Sequence, residues 1–140
     1  VNEDIKELIK LHYDEIAVNK DVIPLDPDWD SYKNLCNKNI LMTITARDEG
    51  KLVGYSIFFI TNHLHYKSTV YANNDLLYLH PDYRKGSLGI KFIKASEIYL
   101  KNKGVAKILW HIKFNKDFRI LLHRMGYVDE EVIVGKIIKD

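Results

Sequence analysis

The chain has 140 residues, 46% of them hydrophobic and 29% charged, with a formal net charge of +2. That is the ordinary size and composition of one globular domain, and it excludes a disordered or fibrous chain. No stretch approaches the roughly 18 uninterrupted apolar residues of a membrane span.

In chain order, the acidic start Val1-Asn2-Glu3-Asp4 lacks a charged-then-apolar leader, so a cytoplasmic location is expected. Ile5, Leu8, Ile9, His12 and Ile16 recur at helical spacing and predict an amphipathic helix over about residues 3–19. Ile23-Pro24-Leu25-Asp26-Pro27-Asp28 must be a loop, because each proline pushes its predecessor out of the α region. A short helix follows, from Trp29 to Asn37. Its Cys36 is the only cysteine, which excludes an internal disulfide and a cysteine-based zinc cluster. Nothing beside it supplies a base, so it reads as a half-buried structural thiol.

Ile40 to Ala46 predicts a strand, Asp48-Glu49-Gly50-Lys51 a turn, and the β-branched and aromatic run Leu52 to His65 the second arm of a hairpin. Asp75-Leu76-Leu77-Tyr78-Leu79 is a compact buried strand, stopped at Pro81. The next helix carries Leu88, Phe92, Ile93, Ser96, Tyr99 and Leu100 on one stripe, with Gly104 at its C-terminal cap. Val105 to Phe114 predicts a strand, Asn115 to Met125 a helix ended at Gly126, and Glu131 to Lys139 a last strand. No repeat or linker interrupts this order. One domain over residues 1–140 is expected, α/β in class, with a mixed sheet covered by helices on both faces.

Charge is distributed unevenly along this order. Residues 1–30 hold nine acids against three lysines, while residues 80–125 hold eleven bases against Asp82, Glu97 and Asp117. Such a contrast suits two partners, a neutral or cationic one near the first segment and an anionic one near the second. Solvated helix faces that merely differ would give the same counts.

The informative stretch is Leu77-Tyr78-Leu79-His80-Pro81-Asp82-Tyr83-Arg84-Lys85-Gly86-Ser87-Leu88-Gly89. A buried strand ends, the chain turns, and a helix begins among small residues and two cations. The first turn of a helix exposes unpaired N–H groups and the positive end of its dipole, which together attract an anion. Gly86 and Gly89 let a phosphate approach the backbone, and Arg84 and Lys85 supply countercharge. Alone, a glycine-rich helix start is equally a tight turn.

The spacing of these residues resembles the GNAT acetyltransferase superfamily, whose signature is Arg/Gln-x-x-Gly-x-Gly/Ala after a strand ending in an apolar-x-Pro step. Leu79-His80-Pro81 matches the step, Arg84 the first position and Gly89 the last, while Ser87 stands where the first glycine belongs. A second family segment is similar at Asn115, Phe118, Leu121-Leu122 and Gly126-Tyr127, and Lys51-Leu52-Val53-Gly54-Tyr55 looks like the family's entry into its third strand.

The resemblance implies a mixed, mostly antiparallel sheet with helices on both faces. One pair of strands, near Asp75–Leu79 and Ile108–Phe114, would splay apart. It implies an N-acetyltransferase that moves an acetyl group from acetyl-CoA, its co-substrate, to an amine by direct attack, with no metal. The pyrophosphate would lie at Arg84, Lys85, Gly86, Ser87, Leu88 and Gly89, and the pantetheine arm against Leu77, Tyr78 and Leu79. Asn115, Phe118 and Leu122 would complete the cofactor contacts. The backbone N–H of Leu79 or a close neighbour would stabilise the oxyanion.

The family's general acid, a tyrosine, falls on Leu122, which cannot donate a proton. Another group must serve, or the chain binds acyl-CoA without turnover. For the base, Asp75 is the first candidate, placed on the strand face of Leu77 and Leu79; a turn-bonded, strand-initiating aspartate is the alternative. His65 and His111 are the next candidates, since a free imidazole titrates near ~6.5. His63-Leu64-His65 lacks a third ligand for zinc.

Three functions compete. An acetyltransferase would take a cationic acceptor, such as a polyamine, a protein lysine or an aminoglycoside, near Asp26-Pro27-Asp28-Trp29-Asp30. A GNAT-fold binding or interaction protein would fit Leu122. Nucleic-acid binding is the weakest, because the lysines of the basic half lack stacking aromatics or a recognised reading motif. A membrane partner is not expected, and the oligomeric state is open between monomer and homodimer.

Overall fold

A long hairpin frames the molecule. The computed structural model describes residues 3–139. Within them, α1 (Glu3–Ile16) and α2 (Trp29–Asn37) precede β1 (Leu41–Asp48), β2 (Lys51–His63) and β3 (Tyr66–Leu79). Then come α3 (Leu88–Asn102), β4 (Lys107–Leu109) and α4 (Arg119–Arg124), with 3-10 turns at Pro81–Tyr83 and Phe114–Lys116. The sheet order is β1-β2-β3-β4. The first three strands pair antiparallel and β4 runs parallel to β3, so the sheet is mixed, as expected.

Both faces are covered. Leu8 and Ile9 of α1 pack with Leu41, Leu52, Tyr55, Ile57 and Tyr78, and Trp29, Tyr32 and Leu35 of α2 close over them. On the other face Phe92 and Leu100 of α3 meet Ile44, Phe58 and Ala72. Asp28 starts α2 by accepting from the Ser31 backbone N–H at 3.0 Å and from its hydroxyl at 2.6 Å. That helix has the bounds expected from the sequence, and it begins just after the two prolines.

Gly54 is the tightest point of the hairpin. It lies opposite Leu79, and a Cβ there would stand 2.9 Å from the Tyr78 carbonyl oxygen and 2.8 Å from Leu79 Cδ1. A backbone oxygen cannot swing aside, so the strands must separate. Gly54→Ala is therefore expected to destabilise the domain by about 1–3 kcal/mol, measurable by urea unfolding; an unchanged midpoint would mean that the strand ends yield freely.

The ladder between β2 and β3 slips once in mid-strand. Phe58 faces Asn74 and Ile57 faces Leu76, so Asp75 is an extra residue, a β-bulge. Asn74 seals it by donating through Nδ2 to the Leu76 carbonyl at 2.9 Å and to the Ser56 hydroxyl at 3.1 Å. The bulge reverses the alternation of faces. Ala72 and Leu77 pack against the α3 side, Leu76 and Tyr78 against the α1 side.

Several boundaries differ from the sequence expectation. The first helix ends at Ile16, ahead of Asn19 at φ 57°, and does not reach residue 19. β3 begins at Tyr66 because its polar first half pairs with β2. Val105–Phe114 forms a strand only over Lys107–Leu109, and α4 is six residues long rather than eleven. The expected strand over residues 131–139 joins no ladder. Its propensity finds no neighbour at the sheet edge, where β4 is only three residues long. Cys36 is exposed, not half-buried. None of the helices among the described residues is long and apolar enough to cross a membrane.

Candidate active site

β3 and β4 pair only at Tyr71–Asn73 with Lys107–Leu109, then part. Beyond Asn73 the edge of β3 that faced β4 has no strand against it among the described residues. A cavity of about 300 Å³ opens beside this gap on the α1 face. Asp75 and Leu76 line it from β3, and Lys113 lines it from beyond β4. His12, Tyr13 and Ile16 of α1 form one wall, and the loop Pro24–Pro27 with Tyr32 forms another.

The bulge decides which way Asp75 points. It lines the cavity with Leu76, on the face opposite Leu77, which corrects the expectation that it shares a face with Leu77 and Leu79. Asp75 reaches solvent at the cavity mouth, yet the protein crowded around it raises its pKa above the usual carboxylate range; His111 and Lys113 pull the other way. The structure thus brings Asp75 and His111 into one electrostatic neighbourhood. His65 is elsewhere. It sits in the turn between β2 and β3, ten residues before Asp75, roughly 30 Å at strand spacing.

His12 was legible in the sequence only as part of the apolar stripe of α1. It is 3% exposed, stacks on Tyr78 at 4.7 Å between ring centroids, and its Nδ1 lies 2.6 Å from the Tyr55 hydroxyl. Burial keeps that phenol protonated, so it donates to Nδ1 and the proton of the imidazole sits on Nε2. Nε2 has no protein partner among the described residues.

Burial and the Lys113 charge lower the His12 pKa from 6.5 to about 4. Above pH 6.5 the ring is neutral whether the chain is folded or not. Between 6.5 and about 4 only the unfolded chain takes the proton, so stability falls as pH drops through that window. The expected loss is about 2–3 kcal/mol, read from urea midpoints at successive pH values. His12→Gln should flatten it, and an equally steep fall in that variant would assign the slope to another group.

The loop before α3 has the shape of an anion site, with one side chain turned away. Ser87, at the helix N-cap, makes no side-chain hydrogen bond, so the first-turn N–H groups of α3 lack a cap. Gly86 takes φ +89°, and both Gly86 and Gly89 face open space. Lys85 is exposed. Arg84, however, turns back to α1. Its guanidinium donates to both Glu15 oxygens at 2.5 and 2.6 Å, and its Nε to the Leu79 carbonyl at 2.7 Å. Lys116 reaches the same carboxylate at 2.7 Å. These bonds, Arg84 foremost, hold the Glu15 pKa down to about 2. Part of the charge contrast between the two segments is therefore neutralised inside the molecule.

The second family segment is packed at Leu122 and partly at Phe118, while Asn115 and Gly126 are exposed. Leu122 is 4% exposed, Asn115 donates to the Ile16 carbonyl at 3.0 Å, and the Phe118 ring meets Trp110 edge-on at 6.4 Å. Of the acidic loop, Asp26 and Pro27 reach the cavity, while Asp28 is held as the α2 cap. Among the described residues no cluster of three or more His, Cys, Asp or Glu is arranged to hold a metal ion.

The family model described as "Acetyltransferase (GNAT) family" matches residues 5–127. The chain belongs to the GNAT acetyltransferase family. Solved structures agree on the GNAT fold. An aminoglycoside acetyltransferase from an uncultured soil metagenomic sample superposes with a TM-score of 0.72 at 19% identity, covering 99% of this chain and 91% of that one. A ribosomal-protein-alanine N-acetyltransferase from Brucella melitensis biovar Abortus 2308 gives 0.69 at 15%, covering 97% and 91%. A predicted acetyltransferase from Clostridium acetobutylicum, solved with acetyl-CoA, gives 0.69 at 13%, covering 96% and 87%. A comparison with the curated proteins found no match. The gap between β3 and β4 is the splayed strand pair that the GNAT resemblance implied.

Proposed function

We propose that this GNAT protein is an acetyl-CoA-dependent N-acetyltransferase whose amine acceptor enters the cavity between α1, the Pro24–Pro27 loop and Asp75. The observation that carries this reading is the parting of β3 and β4 beside a cavity with Asp75 at its mouth. The uncapped start of α3, with open space at Gly86 and Gly89, fits a pyrophosphate, and Lys85 lies beside it. The unpaired edge of β3 at Leu77, Tyr78 and Leu79 fits an extended pantetheine arm. Acetyl-CoA, when bound, supplies the activated acyl group.

The protein's own part is orientation and proton traffic. Asp75, with its raised pKa, accepts the proton that an ammonium acceptor must lose before it can attack. A backbone N–H of the β3 edge, at Leu79 or a close neighbour, stabilises charge on the acyl oxygen. Asp26 adds a carboxylate to the cavity rim and favours a cationic acceptor. An aminoglycoside or a protein amine is the substrate class, as in the names of the structural relatives.

Burial of Leu122, where the family's acid would stand, favours a second reading, acyl-CoA binding with weak or no turnover. Calorimetry with acetyl-CoA and a mass-spectrometric screen of polyamines, aminoglycosides and lysine peptides separate the two. Binding with acetylation of a cationic amine is expected; binding with no product from any amine supports the second reading, and no binding removes both. Lys85→Ala should weaken acetyl-CoA about tenfold through one lost charge-assisted contact, with the difference shrinking at high salt.

A further inference from the structure

From Tyr127 to Lys139 the chain runs without helix, turn or bend, and none of it pairs with the sheet. Its apolar side chains stand in water on both sides: Val132 is 73%, Ile133 70%, Val134 90% and Ile138 89% exposed. Neighbours on an extended chain point in opposite directions, so packing one side against the body would leave the other side bare. Both ends are nevertheless fixed. Lys107 pairs with Glu130 at 2.5 Å, and Lys139 Nζ donates to the Val22 carbonyl at 3.1 Å. A β-branched strand held in place with free edges is a template for another strand.

We propose that residues 131–139 pair antiparallel with the same residues of a second copy of the chain, about a two-fold axis at Gly135. Charge argues for this occupant. Glu131 and Lys136 have no partner among the described residues, and Lys139 meets only a backbone carbonyl. In-register parallel pairing would set Glu131 on Glu131 and Lys139 on Lys139, whereas antiparallel pairing joins opposite charges. A two-fold axis normal to the ribbon keeps each residue on its own side, so facing residues differ by an even number. Centring on Gly135 then sets Glu131 against Lys139, Ile133 against Ile137 and Val132 against Ile138. Centring on Val134 would instead put Glu131 against Ile137, whereas Lys136 faces a valine in either register. Nothing lies within 4 Å of a Cβ built on Gly135, so the axis is unobstructed.

The test is sedimentation of the full chain over a concentration series. The parent is expected to be a dimer. Glu131→Lys and Lys139→Glu should each weaken the dimer about tenfold, since each turns two attractions into repulsions. An equimolar mixture of the two variants should recover parental affinity, because each repulsion then becomes an attraction. Gly135→Cys in a Cys36→Ser background should oxidise to a covalent dimer, and Glu131→Cys in the same background should not. These side chains lie outside the core, so circular dichroism should be unchanged throughout. A monomeric parent, or a dimer that neither charge variant weakens, overturns the proposal; cross-linking through Glu131→Cys but not Gly135→Cys overturns the register and with it the axis.

Discussion

Asp75→Asn is expected to lower kcat by about 10²–10⁴, the usual size of a general-base effect, while leaving acetyl-CoA affinity nearly unchanged. An alkylamine has a pKa near ~10.4 and arrives protonated at neutral pH. In the proposed mechanism Asp75 takes that proton; crowding raises its pKa, and His111 and Lys113 pull the other way. Asparagine keeps the shape of the bulge and removes the base. The pH profile of the parent should show kcat/KM rising through an apparent pKa above the normal carboxylate range, and the variant should lose that limb. His111→Gln and His65→Gln are the comparisons. A full rate in Asp75→Asn beside a lost rate in His111→Gln would move the base to the imidazole. Loss in His65→Gln would be harder to accommodate, given its place at the far end of the hairpin.

Arg84→Ala is expected to lower stability by about 2 kcal/mol, seen as a fall in Tm of roughly 6–10 °C for a domain of this size. The change leaves the Leu79 carbonyl without its donor and Glu15 with Lys116 alone. The pair is about a quarter exposed, so solvent screens it and the loss stays below that of a fully buried pair. Glu15 also sets an acid limit. Its pKa is near 2 when folded, against about 4.5 in the free chain, so its contribution is complete above pH 4.5 and lost as pH falls towards 2. Glu15→Gln should abolish that part of the acid transition. Should Arg84→Ala melt like the parent yet bind acetyl-CoA far more weakly, the arginine serves the ligand and the ion pair is incidental.

Local signals carried much of this fold. The prolines at 24 and 27 marked where α2 could begin, and Gly104 and Gly126 stand at positive φ just beyond α3 and α4. The loop from Arg84 to Gly89 could be picked out because its chemistry is written in consecutive residues. What escaped the sequence depends on distant partners. The first half of β3 opens with the polar run Lys67, Ser68 and Thr69, and becomes a strand only because β2 offers it a ladder. Arg84 looked free for a phosphate, and only folding brings Glu15, 69 residues earlier, against it. His12 looked like one more residue on an apolar stripe, until Tyr55 and Tyr78 closed around it. Residues 131–139 show the reverse case, a strand sequence that finds no pairing strand among the described residues.

The bulge at Asp75 limits how this gene segment can change length. Upstream of it, even-numbered side chains face α3; downstream, even-numbered side chains face α1. Deleting that single codon would restore unbroken alternation and turn Leu76, Leu77, Tyr78 and Leu79 inside out, exchanging the residues of the two cores. A second inserted residue nearby would do the same. Substitution at position 75 is thus a chemical question, whereas insertion or deletion there is a question of whether the chain folds at all.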